Sequence, residues 1–154
     1  MYINEKTAEV LNDLIQINND RVRGYEKAAD ETKTKDVDLQ AIFRQMAAES
    51  RSYVNDLSQY VNASGEEPAT STTTSGKIYR AWMDVKATFT GKDRKAILAS
   101  CEFGEDAAQK AYKEALEDKD LTPDVRATIE NQKKTLRQAH DKIKSMRDVA
   151  AAAH

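Results

Sequence analysis

The stretch Ala96–Leu116, AILASCEFGEDAAQKAYKEAL, decides the fold that we expect for this chain. Its apolar residues recur every three or four positions, a period that places them on one face of an α-helix. Glu105 interrupts this face between Cys101 and Ala108. Because an unpaired buried charge is costly, such a carboxylate needs a partner. The stretch therefore predicts a core helix that carries one buried acidic group.

The composition indicates one helical domain that covers residues 1–154. The 154 residues are 40% hydrophobic and 32% charged, and they include only five glycines and two prolines. Few turn-forming residues imply few turns, and this length is enough to bury a core. The net charge of −2 gives no basic character that would attract nucleic acid.

The cysteine count and the apolar runs predict a cytoplasmic location. Cys101 is the single cysteine, so it has no partner for an internal disulfide. No apolar run approaches the length that spans a membrane, and the first residues do not resemble a signal peptide. We therefore expect no membrane association.

Helical periodicity predicts four long helices and one short one. Asp36 is expected to cap the second long helix, Gly65 to stop it, and Thr122 with Pro123 to start the last one. Trp82 is expected to anchor the short helix. The predicted helices cover about 4–33, 37–62, 77–88 (the short one), 91–118 and 122–148, with a Thr/Ser-rich linker at 64–76.

The connection between the second and third long helices decides the predicted topology. A helix of about 25 residues is about 37 Å long. Residues 64–90 are numerous enough to travel that distance, whereas the turn at 34–36 is short and favours antiparallel neighbours. Two antiparallel hairpins joined by a long crossover form an all-α, ferritin-like four-helix bundle, here with a short extra helix in the crossover. A simple up-down-up-down bundle is the alternative.

Polar residues interrupt the apolar helix faces near mid-helix. Di-iron and di-manganese bundles supply an inward Glu from each of two helices and a Glu-x-x-His from each of the other two. This chain has no Glu-x-x-His, and its only histidines are His140 and His154. We therefore predict a polar core layer in place of a metal centre. Its members are Asn18, Ser50, Tyr53, Glu105, Gln132 and His140.

A different helix rotation leaves a metal site open. Turning the first two helices by one residue, about 100°, would bring Glu26 and Glu49 toward the core. Together with Glu105 and His140 they would then be the candidate ligands for iron or manganese.

Four stretches resemble a known family. They are GYEKAADETK (24–33), YRAWMDVKATFTGKDRKAIL (79–98), CEFGEDAAQKAY (101–112) and QAHDKIKSMRD (138–148). Together they resemble bacterial ferritin-like four-helix-bundle proteins catalogued as a domain of unknown function, distant kin of rubrerythrin-like bundles. The spacing from Glu105 to Tyr112 is similar to that between a ligand glutamate and a tyrosine there. The same spacing back from Tyr25 reaches Asn18, which is not a carboxylate.

Two functional hypotheses follow. The first is a non-enzymatic bundle without a cofactor that acts through assembly or partner binding, with a stress-related role as one expectation. Its third and fourth long helices carry opposite charge: eight acidic and five basic residues at 93–120, against four acidic and seven basic at 122–148. Such charges suit a homodimer. The alternative is an iron- or manganese-dependent oxidase or peroxide-handling protein.

Overall fold

Four helices make up most of the described chain. The computed structural model describes residues 3–32, 36–70 and 94–152. The helices are α1 (Glu5–Glu31), α2 (Val37–Ala63), α3 (Arg94–Ala115) and α4 (Pro123–Ala152), and no strand occurs in these ranges. The all-α prediction is confirmed. The predicted short helix at 77–88, the linker from residue 71 onward, Trp82 and the expected helix start at residue 91 lie outside the described residues.

A side-chain cap starts α1 but not α2. Asn4 Oδ1 accepts a hydrogen bond from the Thr7 amide at 2.7 Å and caps α1. The prediction that Asp36 caps α2 is wrong, because its side chain makes no capping bond. Its carboxylate instead accepts a hydrogen bond from Arg94 Nη1 at 3.1 Å. The Asp36 carboxylate thus binds Arg94, which is distant in sequence, and not the backbone amides at the start of α2.

The last helix is longer than its periodicity predicts. Helix α4 continues to Ala152, four residues past the expected end at Asp148. The added residues are valine and alanines, and alanine has the highest intrinsic helix propensity, so nothing local stops the helix there.

A glycine ends α2. Gly65 has φ +86°, in the left-handed region that favours glycine. The Glu66 amide donates to Val61 O at 3.3 Å, and the Gly65 amide donates to Asn62 O at 3.0 Å. These two bonds form a Schellman motif, which satisfies carbonyl groups at the helix end and directs the chain away from the helix.

Contacts between helix ends establish the directions of the helices. Gln40 Nε2 donates to Ala29 O, so α1 and α2 are antiparallel. Arg126 Nη1, near the start of α4, donates to Leu116 O, just past the end of α3, so α3 and α4 are antiparallel. Arg94, the first residue of α3, meets the carboxylate of Asp38 at the start of α2. Helices α2 and α3 therefore begin at the same end of the bundle, and Ala63 and Arg94 lie at opposite ends.

The buried apolar side chains form two groups, one in each half of the bundle. One group lies around Leu11, Leu57 and Ile129. The other lies around Phe43, Leu98 and Ile143. Polar side chains that are almost completely buried lie near the boundary between the two groups. Among them are Asn18, Arg21, Ser50 and Glu105, each 0% exposed, and Gln132, which is 3% exposed.

Candidate functional site

The helix periodicity brings one cation and one anion into the core. In α1, Asn18, Arg21 and Tyr25 follow Leu14 at intervals of four, three and four residues, a spacing that keeps side chains on one seam. In α3, Glu105 follows Cys101 by four residues in the same way. Arg21 and Glu105 are both 0% exposed. A full positive charge and a full negative charge therefore face each other away from water.

The Arg21 guanidinium is held by acceptors from α2 and α3. Its Nε donates to Glu105 Oε1 at 2.6 Å, and its Nη2 lies 3.5 Å from Glu105 Oε2. Its Nη1 donates to Ser50 Oγ at 2.8 Å and to Met46 O and Glu49 Oε1, each at 3.1 Å. Each of the three nitrogens thus has an acceptor, as a buried guanidinium requires. We call the residues joined by this network the central layer.

Tyr25 stabilises the ion pair from a second direction. Its hydroxyl donates to Glu105 Oε1 at 2.8 Å. Arg21 Cζ lies 5.2 Å from the centre of the Tyr25 ring, within cation–π range. The Tyr25 ring also has an apolar neighbour, because it stacks against the Phe43 ring at a centroid distance of 5.6 Å. These contacts hold both charged groups in one position.

Three side chains in or beside the layer, Arg21, Tyr25 and Cys101, keep one ionisation state near neutral pH. Burial acts to lower the pKa of Arg21, but Glu105, Tyr25 and Glu49 together outweigh burial, and the pKa is raised. Burial, reinforced by Glu105, raises the pKa of the Tyr25 phenol and of the Cys101 thiol well above their ordinary values. Arg21 therefore stays charged, while the phenol and the thiol stay protonated, which makes Cys101 a poor nucleophile.

A second branch of the network reaches α4. Ser50 Oγ donates to Asn18 Oδ1 at 2.9 Å, and Asn18 Nδ2 donates to Leu14 O at 2.9 Å and to the Tyr112 hydroxyl at 2.8 Å. The Tyr112 hydroxyl donates to Gln132 Oε1 at 2.6 Å. The central layer therefore joins all four helices. Gln132 Nε2 is buried and has no hydrogen-bond partner within the described residues.

The central layer does not fit a di-metal centre. Two divalent ions need several bridging carboxylates and imidazole ligands at one level. The hydrogen-bonded network holds two carboxylates, Glu105, which is completely buried, and Glu49, whose side chain is 23% exposed. The other donors are amides and hydroxyls. The space between the two carboxylates is filled by the Arg21 guanidinium, which is itself a cation.

The predicted layer residues do not all meet. Asn18, Ser50, Glu105 and Gln132 belong to the hydrogen-bonded network. Tyr53 lies on α2 one turn after Ser50, and burial raises the pKa of its phenol to about 12. His140 does not contact the network residues by any hydrogen bond found in the described chain; its partners are acidic residues of α3 and α4.

The alternative metal ligands are also distributed over different sites. Glu105 and Glu49 both bind Arg21. Glu26 forms an ion pair with Arg51 on the outside of α1 and α2, where its side chain is 46% exposed. His140 lies elsewhere, against Asp106. Arg21 thus binds two of the four candidate ligands, Glu49 and Glu105.

Sequence reasoning missed Arg21, Tyr112 and the role of the Tyr25 hydroxyl. A signal for Arg21 was present, because it stands three residues after Asn18 and four before Tyr25, on the seam itself. A basic residue on the seam of one helix and an acidic residue on the seam of another are natural partners.

The seam between α3 and α4 holds His140 and two acidic residues. His140 Nε2 lies 2.6 Å from Asp106 Oδ1 and 4.0 Å from Glu102 Oε2. On its other side, His140 Nδ1 lies 3.1 Å from Asp141 Oδ1. Glu102 Oε1 also pairs with Arg147 Nη1. We call Glu102, Asp106 and His140 the α3–α4 triad.

Comparison with known families gives a match over most of the chain. Residues 6–118 match the family described as Domain of unknown function (DUF2383). The chain belongs to this family. The matched DUF2383 region includes Arg21, Ser50, Glu105 and Tyr112, whereas Gln132 and His140 lie beyond it. No curated protein matches the chain.

In the described parts of this DUF2383 member, no helix is both long enough and apolar enough to cross a bilayer.

Proposed function

We propose that this member of the DUF2383 family is a ferritin-like bundle without enzymatic activity, which acts through self-assembly or partner binding. The observation that carries this proposal is the fully buried Arg21 guanidinium, bonded to Glu105 at the level where a ferritin-like di-metal centre would lie. The central layer is then a structural element that holds the four helices in register.

The helix directions support the ferritin-like part of the proposal. Helices α1 and α2 form one antiparallel hairpin, and α3 and α4 form the other. The contacts of Arg94 with Asp36 and Asp38 place the starts of α2 and α3 at one end. Because α2 and α3 run parallel, the connection between them must span the full length of the bundle, as in ferritin-like bundles.

Charge supports the non-enzymatic part. A guanidinium does not lose its proton in proteins, so Arg21 remains a fixed cation. A divalent ion beside Glu105 would meet this cation in a medium where charges interact strongly. It could enter only by displacing Arg21 from its bonds to Glu105, Glu49 and Ser50. The layer therefore favours its own arginine over a metal.

Exposed apolar side chains support the binding part. Phe103 on α3 is 59% exposed and Val149 on α4 is 68% exposed. The same two helices belong to segments of opposite net charge. Aromatic residues are enriched in protein–protein interfaces, so we take a homodimer through α3 and α4 as the assembly to test.

Aerobic addition of Fe²⁺ to the purified protein tests the absence of a di-iron centre. We expect oxidation no faster than in buffer and no protein-bound iron pair, and we expect Glu105→Gln to leave this result unchanged. The measurement is the rate of Fe²⁺ loss together with iron content after desalting. About two iron ions per chain in the wild-type protein, lost in Glu105→Gln, would contradict the proposal.

Sedimentation over a range of protein concentrations tests the homodimer. We expect the mass to rise toward that of two chains, and Phe103→Ser to shift this rise to higher concentration. Ala99→Ser, an exposed position one turn earlier on α3, is the control and should behave as wild type. A single-chain mass at every concentration would exclude the homodimer and leave a different partner as the binding hypothesis.

A further inference from the structure

The α3–α4 triad is a second polar group, separate from the central layer. Glu102 and Asp106 stand four residues apart on α3, so both side chains point from the same face of that helix. His140 on α4 lies opposite them and is 6% exposed. The three residues offer one nitrogen and two oxygen atoms, all within 4.8 Å of one another.

The distances suit a small metal ion. An ion bound at about 2.0–2.2 Å by nitrogen and oxygen places its ligand atoms about 3 to 3.5 Å apart. The distances from His140 Nε2 are 2.6 Å to Asp106 Oδ1 and 4.0 Å to Glu102 Oε2, one on each side of that range. Side-chain shifts of less than about 1 Å would therefore bring all three atoms to coordination distance.

A contact at the second ring nitrogen orients the His140 imidazole. His140 Nδ1 lies 3.1 Å from Asp141 Oδ1. Histidine ligands in metal sites generally use the second ring nitrogen in this way, because a carboxylate or carbonyl partner fixes the ring and its tautomer. With Nδ1 engaged by Asp141, Nε2 is directed at the two carboxylates of α3.

The remaining contacts leave room and charge for a cation. Arg147 pairs with Glu102 through Oε1, so Oε2 is the oxygen that faces the histidine. Glu102, Asp106 and Asp141 contribute three negative charges. Two positive charges lie beside them, from Arg147 and from Arg137, which pairs with Asp141 at 3.2 Å, so negative charge remains in excess and favours a cation. The Asp106 side chain is 61% exposed, so an ion can enter from solvent and keep water ligands.

We propose that Glu102 Oε2, Asp106 Oδ1 and His140 Nε2 bind one divalent first-row transition metal ion. A single imidazole with two carboxylates suits Zn²⁺ and its neighbours better than Mg²⁺ or Ca²⁺, which prefer oxygen ligands alone. The site holds one ion rather than a pair, and it shares no residue with the central layer. It therefore goes beyond the proposed function and does not depend on it.

Calorimetric titration with ZnCl₂ tests the site. We expect one Zn²⁺ per chain in the wild-type protein, and a loss of affinity of about tenfold or more in both His140→Ala and Asp106→Asn. The matched control is His154→Ala, which removes the other histidine and should bind as wild type. Asp56→Asn, an exposed aspartate on α2, controls for the loss of one carboxylate.

Two outcomes would overturn the metal site: unchanged zinc affinity in both His140→Ala and Asp106→Asn, or wild-type affinity weaker than about 1 mM. Because Asp106 is exposed, its variant should fold, and circular dichroism checks this. Co²⁺ provides an independent readout, since its visible absorption should appear in the wild type and be lost in His140→Ala. Zinc is not redox-active, so failure here is distinguishable from failure in the iron oxidation test.

Discussion

Glu105→Gln is expected to lower the free energy of unfolding by about 3–5 kcal/mol, the usual cost of removing one partner from a buried ion pair. Arg21 is completely buried and would keep its charge, with Glu49 as its remaining carboxylate contact. Glutamine has nearly the same size as glutamate, so the substitution leaves no cavity. The loss therefore reports the uncompensated charge and not a packing defect.

Urea unfolding monitored by circular dichroism measures this loss, and an exposed ion pair provides the control. Glu26 pairs with Arg51, and their side chains are 46% and 52% exposed. Glu26→Gln makes the same chemical change at the surface, where such pairs contribute at most about 1 kcal/mol. Equal losses in the two variants would mean that the Arg21–Glu105 pair is not isolated from solvent.

The double variant Arg21→Met/Glu105→Leu is expected to lose markedly less free energy of unfolding than the sum of the losses in the two single variants. Each single substitution leaves one buried charge without its partner, whereas the double substitution removes both charges. Buried ion pairs can often be replaced by apolar side chains at little net cost. We expect a coupling energy of about 2–3 kcal/mol. The Tyr25 hydroxyl loses its acceptor in the double variant, so full wild-type stability is not expected.

A double-mutant cycle over the wild type, both single variants and the double variant measures the coupling. The matched cycle uses Glu26→Leu and Arg51→Met, with the same side-chain changes at the exposed pair, where the coupling should stay below about 1 kcal/mol. Additive losses at Arg21 and Glu105 would contradict the interpretation of the central layer as an ion pair. A cycle also cancels the effects that each substitution has on the rest of the core.

The helices could be predicted from the sequence because their signals are local. The apolar residues of α3 recur at the helical period within a single stretch, and the start of α4 is encoded by adjacent residues. Thr122 Oγ1 accepts from the Val125 amide at 3.4 Å, and Pro123 is the first helical residue. Such signals depend on residues three or four positions apart, so they do not require knowledge of the fold.

The central layer was only partly predictable. The seam positions of Asn18 and Glu105 follow from spacing, but the partner of Glu105 lies 84 positions away, in Arg21. Spacing identifies which residues face inward; it does not specify which residue of another helix lies at the same level. That choice depends on how far α1 and α3 slide along each other, which only the packed core determines.

The sequence by itself determined the helices, their inward faces and the presence of a carboxylate on the seam of α3, since all three depend on helical periodicity. Only the tertiary structure decided the partners. It pairs Glu105 with Arg21, and it turns Asp36 from a helix cap into a partner of Arg94. It also places His140 against Asp106 instead of in the layer. Adjacent residues of a helix point about 100° apart, so a small rotation of the helix changes which side chain meets a neighbour. Packing against the neighbouring helices sets that rotation.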